Sequence, residues 1–316
     1  MKRITLLTAF LLLALLLAAC TAVPAPAAEA PAAEEAAAPA ESGAELGTPD
    51  NPLIMSFVPS GDTQEIITGG DAIEKMLEEK TGLSIDSNVA TSFAAVVEAM
   101  GAGNAHIGWL NTFAYLLAHE KFGVEPILVT VRFGSNAYKG QIITRADSGI
   151  TSLEDLKGKT MCWVDPLSTS GYIVPRVELK AAGIDPDADF AKTVEAGSHN
   201  NVVIAVYNGE CDAGATYADA RNSVEKDLPD VKEKVVVIAE SPDIPNDNVS
   251  VVADMPDEMK TSIQEALLEI AASEEGQAAL NTVYSIENLE PTDDSFYDGF
   301  RVQLDAAGIN IEDLAQ

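Results

Sequence analysis

Two α/β lobes with a cleft between them are the architecture this sequence predicts, and two observations carry the prediction. From about Pro52 onward, short runs of β-branched and apolar residues alternate with amphipathic stretches of helical period, the pattern of helix-covered sheets. About 265 residues follow that point, and the alternation restarts near residue 152, so each half is of ordinary lobe size. Open α/β sheets bind ligands beyond the carboxyl ends of their strands, which makes the cleft the expected site.

In chain order, 53–58 reads as a strand and 71–80 as an amphipathic helix with Ile73, Met76 and Leu77 on one face, stopped by Gly82. Strand 83–89, helix 93–100, strand 106–110 and helix 112–121 come next. Residues 124–132 and 141–144 are strands rich in β-branched residues. The second half opens with a short helix capped at Ser152 and turns at Lys157-Gly158-Lys159. It continues as strand 160–164, helix 173–182, strand 192–195, helix 201–207, strand 212–216, helix 219–227 and strand 235–239. A late strand at 249–252 and helices at 258–272 and 294–306 close the chain. The strands are expected to lie parallel. Crossings between lobes are expected near 138–142 and 239–247, which gives a first lobe of 51–140 with 244–316 and a second of 141–243. Trp109 and Trp163 sit in strands and are expected in the core.

The first nineteen residues read as a secretory signal. Lys2 and Arg3 give a positive start, 4–17 is almost wholly apolar, and Leu17-Ala18-Ala19 precedes Cys20. Cys directly after two small residues marks the lipoprotein variety, in which the Cys20 thiol is acylated and anchors the protein to the outer face of a membrane, in the cell envelope. The apolar run is short of the roughly 20 residues that span a bilayer. Residues 20–50 are dominated by Ala, Pro and Glu with a single Leu and a single Val, a disordered, semi-extended spacer.

The formal charge is −31, and loss of Lys2 and Arg3 on cleavage makes it −33. Nucleic-acid binding is excluded, since phosphate backbones demand a basic face. So acidic a chain is expected to be soluble and monomeric, and an anionic ligand would need a local cradle of donors. Beyond Cys20, only Cys162 and Cys211 remain. Neither they nor His106, His119 and His199 have metal-ligand spacing, so no metal or other cofactor is expected. Two buried thiols are the expectation for the pair, with a disulfide in an oxidising compartment as the alternative.

The densest chemical signal is Asp165-Pro166-Leu167-Ser168-Thr169-Ser170-Gly171-Tyr172. Ser168, Thr169 and Ser170 offer three hydroxyls and successive N–H groups at a helix start, where unpaired donors and the helix dipole favour an anion. A plain cap needs one such residue, and three exceed that need. Pro175 requires either that the regular helix begin near Val174 or that its first turn be distorted.

This turn, followed by Val194-Glu195-Ala196-Gly197-Ser198-His199-Asn200-Asn201, Asp212-Ala213-Gly214-Ala215 and Ser241-Pro242-Asp243-Ile244-Pro245-Asn246-Asp247, resembles the phosphonate/phosphite substrate-binding proteins of ABC transporters over about residues 52–290. The resemblance implies a periplasmic binding protein type II fold and an extracytoplasmic receptor that delivers a phosphonate, or phosphite or phosphate, to permease subunits. It also implies that Ser168, Thr169 and Ser170 hold the phosphonate oxygens and that His199 donates to the same head group. Asp219 falls where aminoalkylphosphonate binders carry a carboxylate facing the ammonium, Asp247 on a second acidic position, and Tyr138 on an aromatic of the segment joining the lobes. Phe93 falls where a Tyr hydroxyl commonly contacts the ligand, and the departure removes one hydrogen bond.

Each residue also has a plainer role open to it: His199 as a structural histidine, Asp219 as an N-cap, Asp247 as a turn residue, Phe93 as core. An enzyme built from Ser168 or Ser170 with His199 and Asp219 is disfavoured, because the serines head a helix and no Gly-x-Ser-x-Gly elbow is present. A sensor-coupled receptor, or one for another small anion, would use the same fold. The two acidic positions favour a phosphonate, amino-substituted if the change at Phe93 permits.

Overall fold

A computed structural model of the protein describes residues 44–311. The expected signal segment, Cys20 and most of the spacer lie outside the described residues. The end of the spacer is not free chain. Leu46 packs against the core, and the Gly47 carbonyl accepts the Ser84 N–H at 2.8 Å. The stretch's only leucine thus draws its end onto the fold.

The chain runs β1 (Leu53–Phe57), α1 (Thr63–Thr81), β2 (Ile85–Val89), α2 (Phe93–Gly101), β3 (Ile107–Leu110), α3 (Thr112–Phe122), β4 (Glu125–Val131) and β5 (Ala137–Arg145). It continues as β6 (Thr160–Trp163), α4 (Val174–Ala181), β7 (Lys192–Glu195), α5 (His199–Asn208), β8 (Ala213–Tyr217), α6 (Val231–Lys234) and β9 (Val235–Pro245). The last part is β10 (Asn248–Val251), α7 (Asp257–Ala271), α8 (Glu274–Tyr284), β11 (Asn288–Pro291) and α9 (Asp298–Ala306). No helix of the described residues is long and apolar enough to cross a membrane.

Two sheets result, in the orders β11-β4-β10-β3-β1-β2 and β7-β6-β8-β5-β9. They are mixed rather than wholly parallel. β1 runs parallel to β2 and β3, and β6 to β7 and β8, but β10 is antiparallel to β3 and β4, and β5 to β8 and β9. The cause is connectivity. A parallel neighbour needs a helical crossover, whereas β5 and β10 arrive directly from the other sheet, through residues 132–136 and 246–247. The first passage lies a few residues before the expected one.

Local differences have local causes. α1 starts at Thr63 rather than near residue 71, because Asp62 caps it by accepting the Gln64 and Glu65 N–H groups at 2.9 and 3.0 Å. Gly69 within it is where α8 comes close: a Cβ there would lie 2.5 Å from Val283 Cγ2. Gly82 ends the helix in the left-handed region, φ 70°. Residues 219–227 yield only a 3-10 turn at Ala220–Val224, and 294–306 divides into a 3-10 turn, Asp294–Tyr297, and α9. α8 and β11 fall where no element was expected. Both tryptophans are buried as anticipated; Trp109 stacks on Phe57 at 5.4 Å and Trp163 meets Tyr172 and Phe190 edge-on.

Cys162 and Cys211 are bonded, which corrects the expectation of two thiols. Parallel pairing sets Cys162 of β6 opposite Gly214 of β8 and so brings Cys211, just upstream, alongside. The Cα atoms are 5.9 Å apart, within disulfide range. Cross-linking residues 49 apart in sequence constrains the unfolded chain by about 4 kcal/mol in the entropic account, with typical gains of about 2–4 kcal/mol. The double variant Cys162→Ser/Cys211→Ser is expected to melt roughly 4–16 °C lower, at about 2–4 °C per kcal/mol. An unchanged calorimetric midpoint, with two thiols titrating in denatured wild type, would show the pair to be unbonded.

Candidate functional site

The chain leaves β6 through Asp165 into Ser168-Thr169-Ser170-Gly171, where the three hydroxyl residues are all buried. Pro175 shapes this turn. It has no N–H with which to close an α turn onto the Gly171 carbonyl, and that carbonyl instead accepts the Val164 N–H at 3.2 Å. Thr169–Ile173 is consequently one wide π turn, closed by the Ile173 N–H on the Ser168 carbonyl at 3.0 Å, before α4 begins at Val174. Both alternatives that Pro175 raised are realised together. Gly171 is obligatory, since a Cβ would fall 2.3 Å from Val164 Cγ2 and 2.8 Å from Ser168 Oγ. Ser168 Oγ caps the turn by accepting the Gly171 N–H at 3.1 Å. Asp165 fixes its base, accepting from the Leu167 N–H at 2.8 Å and the Phe93 N–H at 3.4 Å.

Thr169 reaches across to the other sheet. Its Oγ1 accepts from Asn111 Nδ2 and from the Phe113 N–H at the start of α3, both at 2.9 Å. A hydroxyl has two lone pairs and one proton. With both lone pairs used, this one can only donate to anything further. Asn111 Nδ2 also donates to the Leu167 carbonyl at 2.8 Å, and the His199 N–H donates to the Ser60 carbonyl at 3.0 Å. These bonds hold the two faces of the cleft together.

His199 heads α5, whose cap is Ser198. Its Nδ1 lies 2.8 Å from Thr216 Oγ1 on β8 and accepts the Tyr217 N–H at 3.4 Å. A backbone N–H can only donate, so the ring proton belongs on Nε2, which faces Ser168 Oγ at 3.5 Å. Burial, reinforced by the charge of Arg132, depresses the imidazole to about 3, so the ring is neutral at physiological pH. The result is a fixed, uncharged N–H donor.

Arg132, which follows β4, is a buried cation of this site that the sequence did not single out. It is 7% exposed, its Nε has no hydrogen-bond partner, and among the described residues it forms no ion pair. Its guanidinium lies 4.6 Å from the Tyr217 ring, which meets the His199 ring at 4.7 Å. The available signal was weak: a single cation ending the run Ile127-Leu128-Val129-Thr130-Val131. Asp247, on the return passage, accepts the Thr112 N–H, while its Oδ1 is buried without a partner. Burial outweighs the attraction of Arg132 and pushes this carboxyl up to about 6. The Tyr138 hydroxyl lies beside those of Ser170 and Thr169, and burial together with Asp247 keeps it protonated. A cavity of about 330 Å³ opens alongside, lined by Ser60, Arg132, Asn200, Tyr217 and Tyr284 among others.

Of the residues singled out, Ser168, Thr169, Ser170, His199, Tyr138 and Asp247 come together. Asp219 and Phe93 do not join them. Asp219 is exposed, in the left-handed region at φ 66°, and its carboxylate neither caps a helix nor hydrogen-bonds. Phe93 points into the core with Val96 and Val97, and only its N–H meets the turn. The geometry also argues against a hydrolase: Thr216, not a carboxylate, holds His199 Nδ1.

Asp247 and His199 leave opposite marks on stability. An acid whose folded value, about 6, exceeds its unfolded one, about 3.9, contributes stability that is full below about pH 4 and lost as pH rises through 6. The depressed His199 contributes above about 6.5 and loses that contribution as pH falls toward 3. Asp247→Asn is therefore expected to raise the melting temperature of the ligand-free protein at pH 7.5. The gain is up to about 3 kcal/mol, at about 1.4 kcal/mol per pH unit, and it should disappear near pH 4. An equal gain at both pH values in calorimetry would mean that ionisation is not its source.

The profile of the family described as ABC transporter, phosphonate, periplasmic substrate-binding protein matches residues 55–297. The phosphate-import protein PhnD of Mycolicibacterium smegmatis is 30% identical over 291 residues, 85% of this chain and 89% of that protein. The phosphonates-binding periplasmic protein of Escherichia coli is 27% identical over 209 residues, 65% of this chain and 62% of that one. A binding protein component of an ABC phosphonate transporter from Pseudomonas aeruginosa superposes with a TM-score of 0.75 at 25% identity, over 84% of this chain and 89% of the other. PhnD1 of Prochlorococcus marinus, solved with methylphosphonate, shares the fold with a TM-score of 0.73 at 15% identity, over 82% and 98%. With two helix-flanked mixed sheets and a profile match across most of its length, the chain belongs to the phosphonate-type periplasmic substrate-binding proteins of ABC transporters, a family of transport receptors rather than enzymes.

Proposed function

We propose that the protein captures a small phosphorus oxyanion, namely a phosphonate, phosphite or phosphate, and presents it to the permease of an ABC importer. The observation that carries this reading is the hydroxyl turn in which Thr169 has both lone pairs engaged and Ser168 faces the Nε2–H of a neutral His199. The Thr169 hydroxyl and the His199 Nε2–H are both buried donors, the first oriented by Asn111 and Phe113 across the cleft and the second by β8. The starts of α3 and α5 and the turn before α4 meet here, so helix N-termini add positive potential in a chain of net charge −31. Ser168, Ser170 and Tyr138 complete the donor set. Asp247, already raised to about 6, takes up a proton as the anion binds and donates from its buried Oδ1 to a ligand oxygen. Asp219 has no part in this reading, since its carboxylate is exposed.

The two sheets serve as lobes hinged at 132–136 and 246–247, so that opening breaks the Thr169–Phe113 and His199–Ser60 bonds. Acylated Cys20 and the segment after it tether a monomeric receptor to the outer face of the membrane, within reach of the permease.

Thr169→Ala and Ser170→Ala each remove a hydroxyl bonded to a charged oxygen, worth roughly 1.5–3 kcal/mol. Calorimetry with phosphite or methylphosphonate is expected to give about tenfold to hundredfold weaker binding, and ligand should contract the small-angle scattering radius of the wild type. Undiminished affinity in both variants would sink the cradle, and an unchanged radius would remove the hinge. Cys20→Ser is expected to move the protein from the membrane fraction to the soluble one with its affinity intact. Membrane retention of that variant would refute the lipid anchor.

A further inference from the structure

Arg132 is a buried cation that the chain itself does not neutralise. It is 7% exposed, its Nε lacks a partner, and Asp247 feels its field without forming an ion pair with it. Arg132 lines a cavity that Ser60, Tyr217 and Tyr284 also line. A guanidinium in such a place is costly unless an anion joins it, and its planar fork matches two oxygens at once. The distances connect it to the cradle. The guanidinium is 4.6 Å from the Tyr217 ring, that ring is 4.7 Å from His199, and His199 Nε2 is 3.5 Å from Ser168 Oγ. The Arg132 charge also acts on His199, Tyr138 and Asp247, the residues gathered around the hydroxyl turn.

The counter-charges are few. Asp62, Glu65 and Lys226 also line this cavity, but all three are exposed. Asp219 is exposed as well, and Asp165 is engaged by two backbone N–H groups, which leaves Asp247, with its buried Oδ1, as the carboxylate that feels the Arg132 charge. An ammonium group in this enclosed space would meet Arg132 where low dielectric strengthens repulsion.

Resting on the phosphorus-oxyanion reading, we propose that Arg132 is a specificity-determining ligand of the cleft. It pairs with the second negative charge of a dianionic oxyanion, so phosphate, phosphite and methylphosphonate are preferred over aminoalkylphosphonates.

The test is calorimetry with phosphate, phosphite, methylphosphonate and 2-aminoethylphosphonate on wild type, Arg132→Gln and Arg132→Lys, with melting temperatures as a control on folding. The wild type is expected to bind 2-aminoethylphosphonate at least about tenfold more weakly than its preferred oxyanion. Arg132→Gln is expected to weaken the three simple oxyanions by about tenfold to hundredfold, as loss of a charge-assisted contact does. It should change 2-aminoethylphosphonate less than about threefold. Arg132→Lys keeps the charge and so keeps the ranking, and it serves alone if the Gln variant fails to fold. A ranking reversed in Arg132→Lys, equal losses for all four ligands in Arg132→Gln, or tightest wild-type binding to 2-aminoethylphosphonate would each overturn the role of Arg132 while leaving the phosphorus reading intact. Wild type that binds none of the four would overturn that reading and this inference with it.

Discussion

The hydroxyl of Thr169 accepts from the Asn111 amide and the Phe113 N–H at the same time, so its proton has only one kind of partner left to find. Much of the neighbouring structure exists to make that arrangement possible. The wide turn over Thr169–Ile173 carries the hydroxyl outward, and it exists because Pro175 cannot close an ordinary turn. Gly171 lets the turn sit against Val164, and Asp165 pins its base to the start of α2. The same contact that orients one hydroxyl also joins the two sheets. In the proposed reading, ligand recognition and closure of the cleft share this one oxygen atom.

Electrostatics in this protein are local rather than global. A chain of net charge −31 repels anions at a distance, yet screening confines that repulsion to about 8–10 Å at moderate salt. Inside the cleft the balance reverses. Helix starts, a neutral histidine held as a donor and a buried arginine all face the same space, and Asp247 is protonated more readily than a free carboxylate. An acidic exterior favours dispersed molecules, and selection of a ligand is left to the local donors of the proposed site.

The fold class was legible because helix and strand periods survive in single sequences, and Gly82 and Gly209 mark helix ends as their left-handed conformations require. The hydroxyl turn was legible because its residues are contiguous. What stayed hidden depended on relations between distant segments. Strand direction is absent from a pattern of apolar residues, so the antiparallel β5 and β10 could not be anticipated. Asp219 resembles an N-cap, but its left-handed backbone puts the carboxylate at the surface. Arg132 stands where β4 ends, and a cation at a strand end ordinarily reaches water. Only the return of the chain through Asp247 encloses it.

The bond between Cys162 and Cys211 joins the two strands that supply opposite halves of the donor set. Cys162 lies six residues before Ser168, and Cys211 five before Thr216, the residue that orients His199. Such a bond forms in oxidising surroundings and is kept open by cytosolic thiols. The spacing between serine and imidazole is thus completed on the far side of the membrane, after the chain has been threaded across. A copy retained in the cytosol would lack that covalent brace and hold its donors less firmly. The bond gives the receptor a chemical record of which side of the membrane it has reached.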